Sequence, residues 1–163
     1  MATSRETFKV SVDVDVKRVL KVLNTMGKEA NTELRSEVIN ISQGLAQAIV
    51  AAAGQAPFTM QAQRVASTVR ANRDRVPSIT VGGSRGKLSG GATAGTVVYG
   101  NEFGANDGQF FPNGGRRFPE RSPKKGRGNT GYWIFPTLTA MQPQLVRDWK
   151  EAVGKIFEKW GRD

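Results

Sequence analysis

Any chemistry in this 163-residue chain would have to be done without cysteine or histidine, since neither occurs. Their absence removes thiolate nucleophiles, Ser-His-Asp triads, imidazole bases, Cys/His zinc sites and disulfides. Carboxylates, lysine, tyrosine and serine are left, and three places bring such groups together. Gly82-Gly83-Ser84-Arg85-Gly86-Lys87 has the glycines and lysine of a phosphate-cradling loop. A Walker loop needs Ser or Thr after its lysine, however, and Leu88 stands there. Asp13 and Asp15 are two apart with no third ligand in view, which suits a helix cap and a solvated acid better than a metal pair. Glu102, in Tyr99-Gly100-Asn101-Glu102-Phe103-Gly104, stands beside the most basic stretch and reads as its ion-pair partner, within one chain or across a subunit boundary. No catalytic, metal-binding or cofactor-binding constellation emerges, so the expectation is a protein that is not an enzyme.

The charge is the next clue. Lys and Arg number 24 and Asp and Glu 14, a net of +10. Residues 1–59 carry seven basic and six acidic groups, net +1, and residues 132–163 carry five and four, again net +1. Residues 60–131 carry twelve and four, so +8 of the excess lies in the centre. Arg64, Arg70, Arg73 and Arg75 form one group; Arg116, Arg117, Arg121, Lys124, Lys125 and Arg127 form the other. Such a concentration fits two readings, sequence-indifferent contact with nucleic acid phosphates and a solvated or protein-facing basic surface. No helix-turn-helix, zinc-finger or RNA-recognition signature supports base reading.

The elements that would position these groups follow from periodicity. Phe8 to Val14 alternates apolar and polar, a half-buried strand. Val16, Val19, Leu20 and Leu23 take helical spacing after Asp15, a suitable N-cap, and Gly27 interrupts. Leu34, Val38, Ile41, Leu45, Ile49 and Ala52 form one stripe of a long helix that Gly54 and Pro57 stop. A third helix is expected from Thr59 to about Asn72. Val76–Val81 and Thr96–Tyr99 read as strands joined by the Gly-rich segment between them. Leu138, Met141, Leu145, Trp149, Val153, Ile156 and Trp160 mark a final amphipathic helix, with Pro143 off the stripe and expected to kink it or start its second half. The expected architecture is a single α+β domain over 1–163. It has a small, mostly antiparallel sheet of three to four strands, packed by a long N-terminal helix pair and the long C-terminal helix.

Two features do not fit a plain core. Residues 104–131 form a long Gly/Pro-rich basic loop that also carries Phe110, Phe111 and Phe118. Loops of that length inside a compact domain tend to be functional or disordered, and aromatics in this one suggest docking. Tyr132-Trp133-Ile134-Phe135, before Pro136, is a dense aromatic block that reads either as core or as an interface anchor. Phe103 reads as a plug for the core and Gly104 as a tight reversal. The most apolar run, Gly44 to Gly54, is about half the ~20 residues a membrane span needs. With no secretory pattern at Met1–Glu6, the expectation is a soluble chain without membrane partners.

The chain order resembles that of the neck and tail-completion proteins, the head-to-tail connectors, of long-tailed bacteriophages. The shared features are an early helix pair, a strand ending in Tyr99-Gly100-Asn101-Glu102-Phe103-Gly104, a variable loop, and Trp133-Ile134-Phe135-Pro136-x-Leu138 opening a terminal helix. Gly131-Tyr132-Trp133 before the proline is similar to forms from phages of actinobacteria. The resemblance implies a virion protein forming a homo-oligomeric ring, usually of six copies, between the portal-side connector and the tail tube. Its partners would be the connector or stopper proteins and the tail terminator, with double-stranded DNA passing through the channel and touched non-specifically at most. Gly100, Gly104, Phe135 and Pro136 would be the structural residues of the shared motif. Glu102, Phe103, Phe110, Phe111, Arg116, Arg117, Phe118, Lys124, Lys125, Arg127 and Trp133 are the candidate contacts. A tail terminator of the adjacent ring and a basic nucleic-acid-binding protein of another kind are the alternatives.

Overall fold

The computed structural model describes residues 8–11, 16–56, 59–83, 87, 88, 90–103 and 131–161. It is predominantly helical with a small antiparallel sheet, an α+β architecture. The elements in order are β1 (Phe8–Ser11), α1 (Val16–Thr25), α2 (Lys28–Ala53), α3 (Thr59–Ala66), β2 (Arg70–Ala71), β3 (Ser78–Val81), α4 (Ala94–Phe103) and α5 (Ile134–Trp160). The sheet order is β1-β3-β2, with β3 paired antiparallel to both neighbours.

The scaffold is α2 packed along α5. Leu34, Val38, Ser42, Leu45, Ile49 and Ala53 are the buried row of α2, stepping by threes and fours, while Ile41 and Ala52 lie half-buried at its flank. Leu145, Trp149, Val153 and Ile156 are buried on α5, with Leu138, Met141 and Trp160 partly so. The α2 row serves two apolar clusters. Its first half joins Leu23, Trp149, Val153 and Ile156; its second half joins Val65, Ile79, Val81, Val98, Trp133, Ile134 and Leu145. Helix α5 runs unbroken through Pro143. The carbonyl that loses its partner there belongs to the exposed Thr139, where water can satisfy it.

Three expectations are corrected. Helix α1 has only ten residues, so the long pairing is α2 with α5 and not an N-terminal pair. Helix α3 ends at Ala66, well before Asn72, because the Thr68 hydroxyl turns the chain: it donates to the Val65 carbonyl at 2.6 Å and accepts the Gly82 amide at 2.9 Å. The chain then enters β2, whose hairpin partner is β3. Asn72 closes that hairpin through its amide to the Ser78 carbonyl (3.0 Å) and its side chain to the Ser78 hydroxyl (3.2 Å).

The third correction concerns Thr96–Tyr99, which belongs to α4 and not to a strand. Val97, Val98 and Tyr99 favour strands intrinsically, but that preference yields to packing. Ala94, Val98, Asn101 and Glu102 share one buried helical face, and Thr93 starts the helix by accepting the Thr96 amide on its hydroxyl at 3.3 Å. Three members of the first arginine group also bond to the fold. Arg70 donates to the Ser67 and Val69 carbonyls (3.0 and 2.8 Å), Arg73 to the Ser36 hydroxyl (2.8 Å), and Arg75 to the side-chain oxygens of Asn24 (2.5 Å) and Asn31 (3.2 Å). Guanidinium groups have five donors, and here carbonyls and amides take several of them.

Candidate functional site

The most unusual chemistry in the described chain is at the junction of α4 and α5. The first amides of any helix lack intrahelical partners and need acceptors. At the start of α5 the acceptor is the side chain of Glu102, 32 residues earlier than Ile134. One carboxylate oxygen, Oε2, takes the amides of Trp133 (3.2 Å) and Ile134 (2.9 Å); Oε1 takes that of Phe135 (2.9 Å). Pro136 has no amide hydrogen to satisfy, which is why proline suits the first turn. Thr137 begins the helical ladder on the Trp133 carbonyl at 3.4 Å. A negative charge at a helix N-terminus is also favoured by the helix dipole.

Two further bonds close the junction. The Tyr132 amide donates to the Glu102 carbonyl at 2.8 Å, and the Trp133 indole donates to Asn101 Oδ1 at 2.9 Å. Gly131, at φ 72°, lies so close that a Cβ there would overlap Glu102 Oε1. Glycine is required at that position by both conformation and space. Glu102 is only 1 % exposed. Burial pushes its carboxyl above the ordinary range, and the amides of Ile134, Phe135, Trp133 and Tyr132 pull it partly back.

Among the described residues Glu102 takes backbone amides and no cation, and so caps α5; the basic stretch from Arg116 to Arg127, its expected partner, lies outside them. Trp133 is buried at 2 % exposure, on the core side of the two readings of the aromatic block. Phe103 is half-buried, its ring 5.4 Å from that of Phe135 and 6.5 Å from that of Tyr99, a short aromatic ladder beside the junction. Gly100 is half-buried on α4 and Pro136 sits in the first turn of α5. Gly104, Phe110, Phe111, Arg116, Arg117, Phe118, Lys124, Lys125 and Arg127 lie outside the described residues. So do Asp13, Asp15 and Ser84–Gly86 of the other motifs.

Sequence reasoning missed Asn101 and Gly131. A signal existed: Ala94, Val98, Asn101 and Glu102 have helical spacing, and Gly131 stands immediately before an aromatic helix start. Elsewhere, a groove of about 640 Å³ opens between the α1–α2 turn and the end of α5, lined by Val22, Met26, Phe157 and Trp160 with Lys28 and Glu29 among its polar members. It contains none of the predicted contact residues. Among the described residues no group of three or more acidic side chains is placed to hold a metal, and no helix is long and apolar enough to cross a membrane.

The class that these observations define is an α+β chain, mostly helical, whose last helix is capped by a buried carboxylate from a preceding one. Set against protein families, characterised proteins and solved structures, the chain finds no match in any of the three.

Proposed function

We propose that the chain is a structural component of a phage head-to-tail junction. It acts as a neck or tail-completion protein that assembles with copies of itself into a ring, six by the pattern of the family it resembles. The ring joins the portal-side connector to the tail tube and surrounds the DNA channel, and the chain's work is contact rather than catalysis. The finer architecture implied by the resemblance, a small, mostly antiparallel sheet with helices packed on one side, belongs to the same proposal.

One observation supports this reading above others. The bond from the Tyr132 amide to the Glu102 carbonyl holds together the two ends of the 104–130 segment. That segment holds Phe110, Phe111 and Phe118 and six basic residues, while the described residues complete a core without it. Cations and aromatics gathered on a segment closed at its base suit docking on neighbouring proteins. A dense basic lining facing the channel would instead bind phosphates and slow a sliding duplex.

Deletion of residues 108–128 tests the proposal. The shortened chain is expected to fold, by circular dichroism and thermal melting, and to leave heads and tails unjoined in electron micrographs of particles. Normal infectious particles would overturn it. Duplex binding by the full chain, titrated with salt, separates the second reading: submicromolar affinity with a steep salt slope would make this a basic nucleic-acid-binding protein. The ring's position in complete particles distinguishes a neck protein from a tail terminator.

A further inference from the structure

Helix α4 is attached to the rest of the molecule in a different way from α2 and α5. Of its apolar side chains only Ala94 and Val98 are fully buried, while Tyr99 is 48 % exposed and Val97 and Phe103 are half-buried. Helix α2 and helix α5 by contrast each bury a continuous apolar row. Beside Val98, which shares an apolar cluster with Trp133 and Ile134, and the Phe103–Phe135 ring contact, what joins α4 to the start of α5 is polar: the three amides on the Glu102 carboxylate, the Tyr132 amide on the Glu102 carbonyl, and the Trp133 indole on Asn101.

That polar joint is held under opposing forces. The Glu102 carboxylate is buried, yet no ion pair to it is present among the described residues. Its hydrogen bonds work against the cost of removing a charge from water. Asn101 Nδ2 is buried without a hydrogen-bond partner among the described residues, a further cost that opening would relieve. Neither connection is short in sequence. Helix α4 is entered after Gly90 and Gly91, both at positive φ, and 27 residues separate Phe103 from Gly131. Undocking would stretch no short link.

We propose that α4 is a latch: it undocks as a unit from α5 at Asn101 and Glu102, uncovering Trp133 and Ile134, while the α2–α5 scaffold stays folded. Regions with few buried apolar contacts open at free energies below that of global unfolding, and α4 with its polar joint is such a region. The latch is a property of the fold and holds whatever the chain docks on.

Native-state hydrogen exchange on the full chain tests it. The amides of Val98–Phe103 and of Tyr132 are expected to exchange through one shared opening, at least about tenfold faster than those of Leu45–Ile49 in α2 and Trp149–Val153 in α5. Gly131→Ala places a Cβ against Glu102 Oε1. It should raise the α4 rates a further tenfold or so while the α2 and mid-α5 rates stay within about twofold. Exchange of α4 at the rate of α2 in the unaltered chain overturns the latch, as does a Gly131→Ala shift shared equally by all three helices. If the variant does not fold, the unaltered chain decides alone.

Discussion

The indole nitrogen of Trp149 donates a 2.7 Å hydrogen bond to the backbone carbonyl of Arg75, 74 residues earlier in the chain. The bond ties the middle of α5 to the turn between β2 and β3. Arg75 in turn reaches Asn24 and Asn31 with its guanidinium, and Asn31 donates to the Leu23 carbonyl at 2.8 Å and the Gly27 carbonyl at 3.0 Å. One turn thereby links α1, α2, the sheet and α5.

Trp149→Phe keeps most of the apolar ring but removes the donor and leaves a carbonyl short of its partner. The expected loss of stability is about 1–3 kcal/mol, read as a lower urea midpoint with unchanged slope. No change in midpoint would show that water replaces the indole at no cost.

Gly82 lies at φ 83°, and a Cβ there would come within 2.8 Å of the Gly95 α-carbon. Backbone at the start of α4 cannot yield as a flexible side chain would. Gly82→Ala is expected to destabilise the fold by about 1–3 kcal/mol. Gly44→Ala is the control, since its Cβ would meet nothing within 4 Å and alanine is the better helix former. Equal melting temperatures for the two variants would contradict the close approach.

Glu102 makes stability depend on pH in a defined direction. Its carboxyl is raised in the folded chain by burial, against the pull of the α5 amides. The folded state therefore holds this proton more tightly than the unfolded state does. Its contribution is fullest below the ordinary carboxylate range and is lost as pH rises through the raised value. Relative to Glu102→Gln, the natural chain should lose stability across that window and run parallel to the variant above it. A difference that is flat, or that grows with pH, would refute the burial effect.

Glu33 runs the opposite way. Lys159 donates to both of its oxygens, at 2.8 and 2.9 Å, and the Trp160 indole donates to Oε2 at 2.9 Å. The hydrogen bond from Lys159 first, then that from Trp160, holds this exposed carboxyl below its ordinary value. Its support of the α5 end is present above the ordinary range and lost as pH falls through the lowered value. Tryptophan fluorescence should show an acid transition there that is absent from both Glu33→Gln and Trp160→Phe. A transition that survives in Glu33→Gln would assign it to another group.

Much of the scaffold could be read from local pattern. The α2 row and the α5 row repeat every three to four residues over about five and six turns, and a long amphipathic stripe has few ways to be satisfied. The strand read at Val76–Val81, observed at Ser78–Val81, and the break at Gly27 were equally legible, because β-rich composition and glycine act within a few residues of themselves. Helix α4 was legible only in the spacing of Ala94, Val98, Asn101 and Glu102. Its Val-Val-Tyr run favours a strand when taken alone, and only packing of Val98, Asn101 and Glu102 against the rest of the core settles the matter. The two-residue strand at Arg70–Ala71 has no pattern long enough to detect.

Charged side chains divide along the same line. The sequence by itself established how many cations the chain has, that +8 of the excess lies between residues 60 and 131, and that no thiol or imidazole is present for chemistry. Only the tertiary structure decided what those groups touch. It gave Arg70, Arg73 and Arg75 to carbonyls, a hydroxyl and amides of the fold, and it set Glu102 on the amides of α5. The physical reason is range. Propensity and periodicity act between neighbours along the chain, whereas a buried carboxylate takes whichever donors the fold brings within 3 Å, and here those donors lie some thirty residues away.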